Sequence, residues 1–266
     1  MQCGVGGCNN SPIVLASGQI GPTSIGVDAS NVYWTTGDGN VMECAIGGCQ
    51  GTPTPIATGQ DAPIGVASDG IHAYWATGSG SVMACAVGGC TGSPTTVASG
   101  QNAPTAVAVD AINVYWTNDG DGTVVKCPVG GCNGGPSMLV AGQDHPWSLA
   151  TDGTSVYWTD YGTGPIGNCA SGGCTGTVMR CATGGCGGAP TVLSSGLNHP
   201  TGIVVDATNA YWADGDSNVL ACSINGCGDQ PIALGMGPEV LGQCVAVNQT
   251  SVFWTDYSSG VLRIAK

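Results

Sequence analysis

The chain has 266 residues, with 47 Gly, 15 Pro and 15 Cys, and sets 4 Lys and Arg against 17 Asp and Glu for a net charge of -13. Only 8% of its residues are charged, where globular domains carry about 25%. So few cations exclude a nucleic-acid backbone or an anionic lipid surface as partner, and no run of about 18 apolar residues offers a membrane span.

The first 19 residues hold the end of a strand (Met1-Gln2-Cys3), a turn and a second short strand (Ile13-Val14-Leu15-Ala16). From residue 20 onward one unit repeats. Its marker is an aromatic pair: Tyr33-Trp34, Tyr74-Trp75, Tyr115-Trp116, Tyr157-Trp158, Tyr211-Trp212 and Phe253-Trp254, spaced 41, 41, 42, 54 and 42 residues apart. A period near 40 marks a propeller, a solenoid or an array. Each copy holds four short apolar runs: one after a Pro, one with the aromatic pair, one ending at Cys and one ending at Ser-Gly or Thr-Gly. All are bounded by Gly, Asp, Asn or Pro, and none has helical periodicity. Four strands per unit is the composition of a propeller blade.

The expected fold is therefore all-β: one six-bladed β-propeller over residues 1–266, with blades at 20–59, 60–100, 101–142, 143–196, 197–236 and 237–266. The last copy lacks its fourth strand and ends at Lys266. Residues 1–19 would supply that strand and close the blade in a 3+1 arrangement, removing exposed edges. Met1 to Cys3 duplicate the register of Leu262 to Ile264, which leaves room for strand exchange between molecules.

The segments around Tyr115-Trp116-Thr117, Tyr157-Trp158-Thr159-Asp160 and Phe253-Trp254-Thr255-Asp256 resemble YWTD repeats, which form six-bladed propellers in lipoprotein-receptor-type ectodomains. The resemblance spans essentially the whole chain and implies the fold. The final Asp stands at Asp160, Asp214 and Asp256, while Thr36, Thr77 and Asn118 replace it elsewhere. A cysteine pair in every unit is foreign to the receptor pattern, so the chain reads as a bacterial, secreted, disulfide-stapled variant.

Seven cysteine pairs share one spacing: Cys3/Cys8, Cys44/Cys49, Cys85/Cys90, Cys127/Cys132, Cys169/Cys174, Cys181/Cys186 and Cys222/Cys227. A tight turn between two strands brings its ends within disulfide reach, so each is expected to pair locally. Zinc would need two pairs to meet, which turns on separate blades do not allow. Such bonds require an oxidising compartment, secreted or at the cell surface. No signal peptide precedes the first cysteine, so the sequence reads as a mature form. The unpaired Cys244 aligns with Ser24, Gly65, Ala106, Ser148 and Gly202 and is expected to be a small buried side chain.

The loops joining the fourth strand of one blade to the first of the next, and the second strand to the third, share one face of a propeller. That face collects the acidic residues, and all four cations lie elsewhere. Asp119 and Asp121, with Asp214 and Asp216, offer oxygens suited to Ca²⁺, although Asp-Gly is also ordinary hairpin-turn chemistry. The once-per-unit residues Asp28, Asp69, Asp110, Asp152 and Asp206 read as turn formers. Departures from the repeat point to function: Trp147, where other copies have Thr23, Ile64, Thr105, Thr201 and Gln243; the insertion between Tyr161 and Gly176; and His145 with His199, each before a Pro. Together with Tyr161 and Tyr257 these form an aromatic and polar ligand-binding cluster.

Enzyme signatures are scarce, with neither a G-x-S-x-G elbow nor an H-E-x-x-H motif. The leading functional expectation is a secreted, non-enzymatic module that binds a glycan, peptide or protein on the face carrying the insertion. Two alternatives stand beside it. One is an extracellular structural protein that self-associates, even into fibres by strand exchange. The other is a metal-dependent hydrolase or lyase at the axial mouth, using His145, His199, Glu239 and nearby Asp residues.

Overall fold

The computed structural model describes residues 14–90, 93–132, 134–163, 173–216, 218–236, 244–256 and 260–266. All regular structure among them is β, and every neighbouring pair of strands is antiparallel. The chain divides into two compact units, residues 1–101 with 130–132 and residues 102–129 with 133–266. The first holds two four-stranded sheets in simple chain order. These are β1 (Pro22–Val27), β2 (Asn31–Thr36), β3 (Val41–Ala45) and β4 (Thr54–Ala57), then β5 (Ile64–Ser68), β6 (His72–Ala76), β7 (Val82–Ala86) and β8 (Thr95–Ala98).

The second unit repeats the pattern. Its sheets are β9 (Pro104–Val109), β10 (Asn113–Asn118), β11 (Thr123–Pro128) and β12 (Ser137–Val140); β13 (Pro146–Thr151), β14 (Ser155–Asp160), β15 (Gly176–Ala182) and β16 (Thr191–Leu197); and β17 (Ile203–Val205), β18 (Asn209–Ala213), β19 (Asn218–Ser223) and β20 (Ile232–Met236). A three-stranded sheet of β21 (Val245–Val247), β22 (Ser251–Asp256) and β23 (Gly260–Ala265) ends the chain. These are the six blades of a β-propeller, each an up-and-down meander.

The expected closing strand is only partly within view. Residues 1–13 lie outside the described residues, and Val14, Leu15 and Ala16 carry no strand. Leu15 still packs as an outer-strand residue does. It is buried with Trp34 and Cys44, and its carbonyl oxygen lies 3.2 Å from the Cys49 sulfur. The Leu193 carbonyl stands in the same relation to Cys227, at 3.4 Å.

The aromatic dipeptide works because adjacent strand residues point to opposite faces. One ring of the pair serves each face of its sheet. Tyr33 shares a core cluster with Trp75 of the following sheet. Tyr115 does so with Trp158, Tyr157 with Trp212, and Tyr211 with Trp254. The tyrosine hydroxyls then meet the repeated aspartates. Tyr33, Tyr74, Tyr115, Tyr157 and Tyr211 donate to Asp28, Asp69, Asp110, Asp152 and Asp206 at 2.7 to 3.1 Å. The other carboxylate oxygen of each Asp takes the backbone N–H three residues on, closing an Asx-turn. Burial, reinforced by the neighbouring carboxylate, pushes the Tyr115 hydroxyl up to about 12. In the last blade Phe253 has no hydroxyl, and Asn248 keeps the turn with bonds to the Thr250 and Ser251 N–H groups. The carboxylate is dispensed with where the phenol is.

The residue before the cysteine of the third strand reaches the following blade's turn. Glu43 accepts from the Gly88 N–H (2.8 Å), Lys126 donates to the Thr183 carbonyl, and Arg180 donates to the Ile224 carbonyl (3.0 Å) and the Ser155 hydroxyl (3.0 Å). Lys266 pairs with Asp206. These cations are therefore engaged near the start of each second strand.

Local disulfides join Cys44–Cys49, Cys85–Cys90, Cys181–Cys186 and Cys222–Cys227, with Cα–Cα separations of 5.4 to 5.5 Å. Cys127, Cys132 and Cys174 are disulfide-bonded too, while Cys3, Cys8 and Cys169 lie outside the described residues. Bonds of this kind persist in oxidising compartments. No helix among the described residues is long and apolar enough to cross a membrane.

Cys244 corrects one expectation. It is a free thiol on an exposed residue, not a buried small one, although burial of the sulfur itself pushes its pKa up. Its register is as aligned: its carbonyl accepts from the Thr255 N–H, as Ser24 lies across from Thr35 and Ala106 from Thr117. The short strand β21 starts only after it, at Val245.

Candidate functional site

Within the second unit, backbone bonds stitch the two loop sets of one sheet end together. The Tyr161 N–H donates to the His145 carbonyl (2.8 Å), Gly162 to Asp144 (3.0 Å), Asp119 to Ala103 (3.0 Å) and Gly215 to Asn198. In the five described loops that enter a first strand, a residue with positive φ stands just before the Pro. Gly21 holds this position at 53°, Ala62 at 42°, Ala103 at 51°, His145 at 59° and His199 at 48°. A side chain there strains the backbone, and His takes the place twice in succession, in β13's loop and in β17's.

Trp147 owes its exposure to a β-bulge. Pro146 pairs with Asp160 and Ser148 with Thr159, so Trp147 between them has no partner across the sheet. The same bulge in other blades holds Thr23 and Thr105, whose hydroxyls bond back to Thr35 and Thr117 at 2.8 Å. The indole of Trp147 instead turns outward and is 39% exposed. Bulges re-aim side chains in this way.

Trp147 does not pack in a core. Its ring centroid lies 5.6 Å from that of Tyr161 at an interplanar angle of 42°, and Tyr161 lies 4.4 Å from His199 at 56°. His199 is buried, at 5% exposure, and its Nδ1 donates to Asn198 Oδ1 (2.7 Å). Three segments of chain thus supply one continuous ring stack, open at the indole and closed at the imidazole. His145 stands apart from the rings, exposed, with Nδ1 donating to Asp119 Oδ1 at 2.8 Å. Tyr257 lies outside the described residues.

The carboxylates have several surroundings. Asp121 accepts from the Thr123 hydroxyl (2.7 Å), and Asp216 accepts from Asn198 Nδ2 (2.7 Å). Asp214 caps its hairpin by accepting from the Asp216 and Asn218 N–H groups, and burial raises its pKa. The Asp121 and Asp214 bonds are turn chemistry, the Asp216 bond ties its turn to the loop of Asn198, and among the described residues no three His, Cys, Asp or Glu side chains gather as a metal site requires.

Two carboxylates that the sequence places on this face were not singled out as site residues. Asp144 accepts from the Thr175 hydroxyl (2.9 Å), which also receives the Thr163 N–H (2.7 Å), so the two ends of the insertion are tied at its base. Asp160 is 4% exposed; one oxygen accepts from Thr177 (3.0 Å) and the other is buried without a partner. Burial, with the Asp144 charge added, raises its pKa to about 7 against the opposing Thr177 bond. The replacement of Thr or Asn by Asp at that register position was visible in the sequence; its burial was not.

No protein-family model and no curated protein matches the chain. Solved structures do. A chain of the nidogen/laminin complex superposes with a TM-score of 0.69 at 18% identity, over 89% of each chain. A streptogramin B lyase gives 0.66 at 12%, over 92% of this chain and 83% of the other. A virginiamycin B lyase from Staphylococcus aureus gives 0.68 at 10%, over 94% and 86%. At such identities the likeness is one of fold, the six-bladed β-propeller, a fold that serves both binding and catalysis.

Proposed function

We propose that this chain is a secreted, YWTD-like propeller that binds a glycan or a protein through the loop end carrying Trp147, Tyr161 and His199. One observation carries the reading: a large indole, re-aimed by a bulge into solvent, is backed by two further rings drawn from separate segments. An exposed aromatic held rigid in this way offers contact area at little conformational cost. The positive-φ position before Pro recurs in the other described loops with Gly or Ala, so it is the choice of His at two successive copies that departs from the repeat. The nidogen/laminin chain gives the fold a precedent in a protein complex. Glycan and peptide arrays probed with the wild type and Trp147→Ala test it, with thermal melts confirming the fold. Binding should be lost in the variant; a Trp147-independent signal refutes the reading.

A hydrolase or lyase reading is favoured by one feature, the buried Asp160 carboxyl poised near neutrality, as a general acid or base would be. Stoichiometric metal analysis of the purified protein, for Ca²⁺ and transition metals alike, bears on that alternative.

A further inference from the structure

We infer that the ring stack receives a cationic side chain, an arginine of a basic protein segment; this rests on reading the stack as a ligand site. The rings are inclined to one another by 42° and 56°, so they form a corner and not the flat platform a sugar ring stacks upon. Aromatic faces are electron-rich and attract a cation within about 6 Å of the centroid. The surrounding charge has the same sign. Asp144 precedes Trp147 by three residues, Asp119 holds His145, and the exposed Asp216 holds Asn198, which in turn holds His199.

Three of the four cations that could balance these carboxylates are used elsewhere, and the fourth, Arg263, lies across from Phe253 in the last blade. Lys126 is on the Thr183 carbonyl, Arg180 on Ser155 and Ile224, and Lys266 on Asp206. Ser155 opens β14 and Asp160 closes it, so Arg180 is anchored about 17 Å of strand from the stack. An anionic ligand would meet Asp144, Asp119 and Asp216 with Lys126, Arg180 and Lys266 engaged elsewhere, and a neutral one would leave the carboxylates unused. With no three metal-ligating side chains gathered among the described residues, an organic cation fits better than a metal ion. Guanidinium suits the corner more than ammonium does, because it is planar, weakly hydrated and stacks on rings.

The test uses the full chain and two glycine–serine peptides, identical except for a central arginine or its uncharged near-isostere citrulline. Binding is followed by isothermal titration calorimetry, whose signal does not depend on the indole that the variants remove. The arginine peptide should bind about tenfold more tightly than the citrulline peptide, and Trp147→Ala should remove about that factor. Trp147→Phe, which keeps a ring, should stay within about threefold. Asp144→Asn should weaken the arginine peptide alone and flatten its salt dependence. Equal affinity for the two peptides overturns the inference. So does arginine binding that survives Trp147→Ala, which would be diffuse attraction to a chain of charge -13. If arrays show Trp147-dependent ligands with no preference for arginine, the binding reading stands and this inference falls. If no ligand depends on Trp147, both fall.

Discussion

Replacing Asp160 by Asn should make the protein more stable at pH 8 and nearly unchanged at pH 4. The folded carboxyl titrates near 7, against 3.8 for a free aspartate, because burial disfavours its charge and Asp144 adds repulsion. The folded form therefore holds a proton that the unfolded chain has released. Below about pH 4 both states are protonated and nothing is lost. As pH rises from about 4 to 7 the wild type loses stability, and above 7 the loss is complete. At 1.36 kcal/mol per pH unit that interval amounts to about 4 kcal/mol, an upper figure because side chains and water relax around a buried charge. Asn carries no such charge, and the fold already accepts it: Asn118 ends β10 across from Pro104 as Asp160 ends β14 across from Pro146. Urea unfolding of both proteins at intervals from pH 4 to 8 measures the difference. Parallel curves for wild type and variant would refute the assignment of a buried, proton-holding carboxyl.

Other expectations follow from the repeat. Gln143→Leu should cost about 1–3 kcal/mol in denaturant unfolding, by removing the acceptor of the Trp158 indole N–H (3.1 Å) and leaving it buried and unpaired. The fifth blade shows that state naturally, with Leu197 at the corresponding place and the buried Trp212 indole nitrogen without a partner. Asp110→Asn and Tyr115→Phe should each destabilise. A double-mutant cycle should give a coupling of about 1 kcal/mol, since the last blade has already made both changes together. Gly122→Ala should destabilise by more than about 2 kcal/mol in thermal or chemical unfolding. Its φ is +65°, and an added Cβ would stand 2.4 Å from the Gln143 carbonyl oxygen.

Much of this molecule is written locally. The turn aspartates, the tyrosines five residues later, the cysteine pairs and the strand boundaries all involve partners close in sequence, and repetition in six copies makes each pattern legible. The Phe253 exception and its Asn248 partner could be read the same way once the Asp–Tyr bond was known. Cys244 was misjudged because alignment supplies register, not exposure, and its blade is framed by a strand that begins one residue later. Residues 13–16 were read as a strand, yet Leu15 does an outer-strand residue's packing without the ladder.

Sequence alone determined the class of fold, the number of repeats and the local disulfides. These depend on period, turn chemistry and contacts a few residues apart. It singled out Trp147, Tyr161, His145 and His199 as departures from the repeat but not their arrangement. Tertiary structure decided that the indole turns outward at a bulge, that Tyr161 bridges it to a buried His199 while His145 goes to Asp119, and that Asp160 is sealed from water beside Asp144. Those outcomes depend on strand register and on desolvation, which are set by partners far away in the chain and leave no local mark in it.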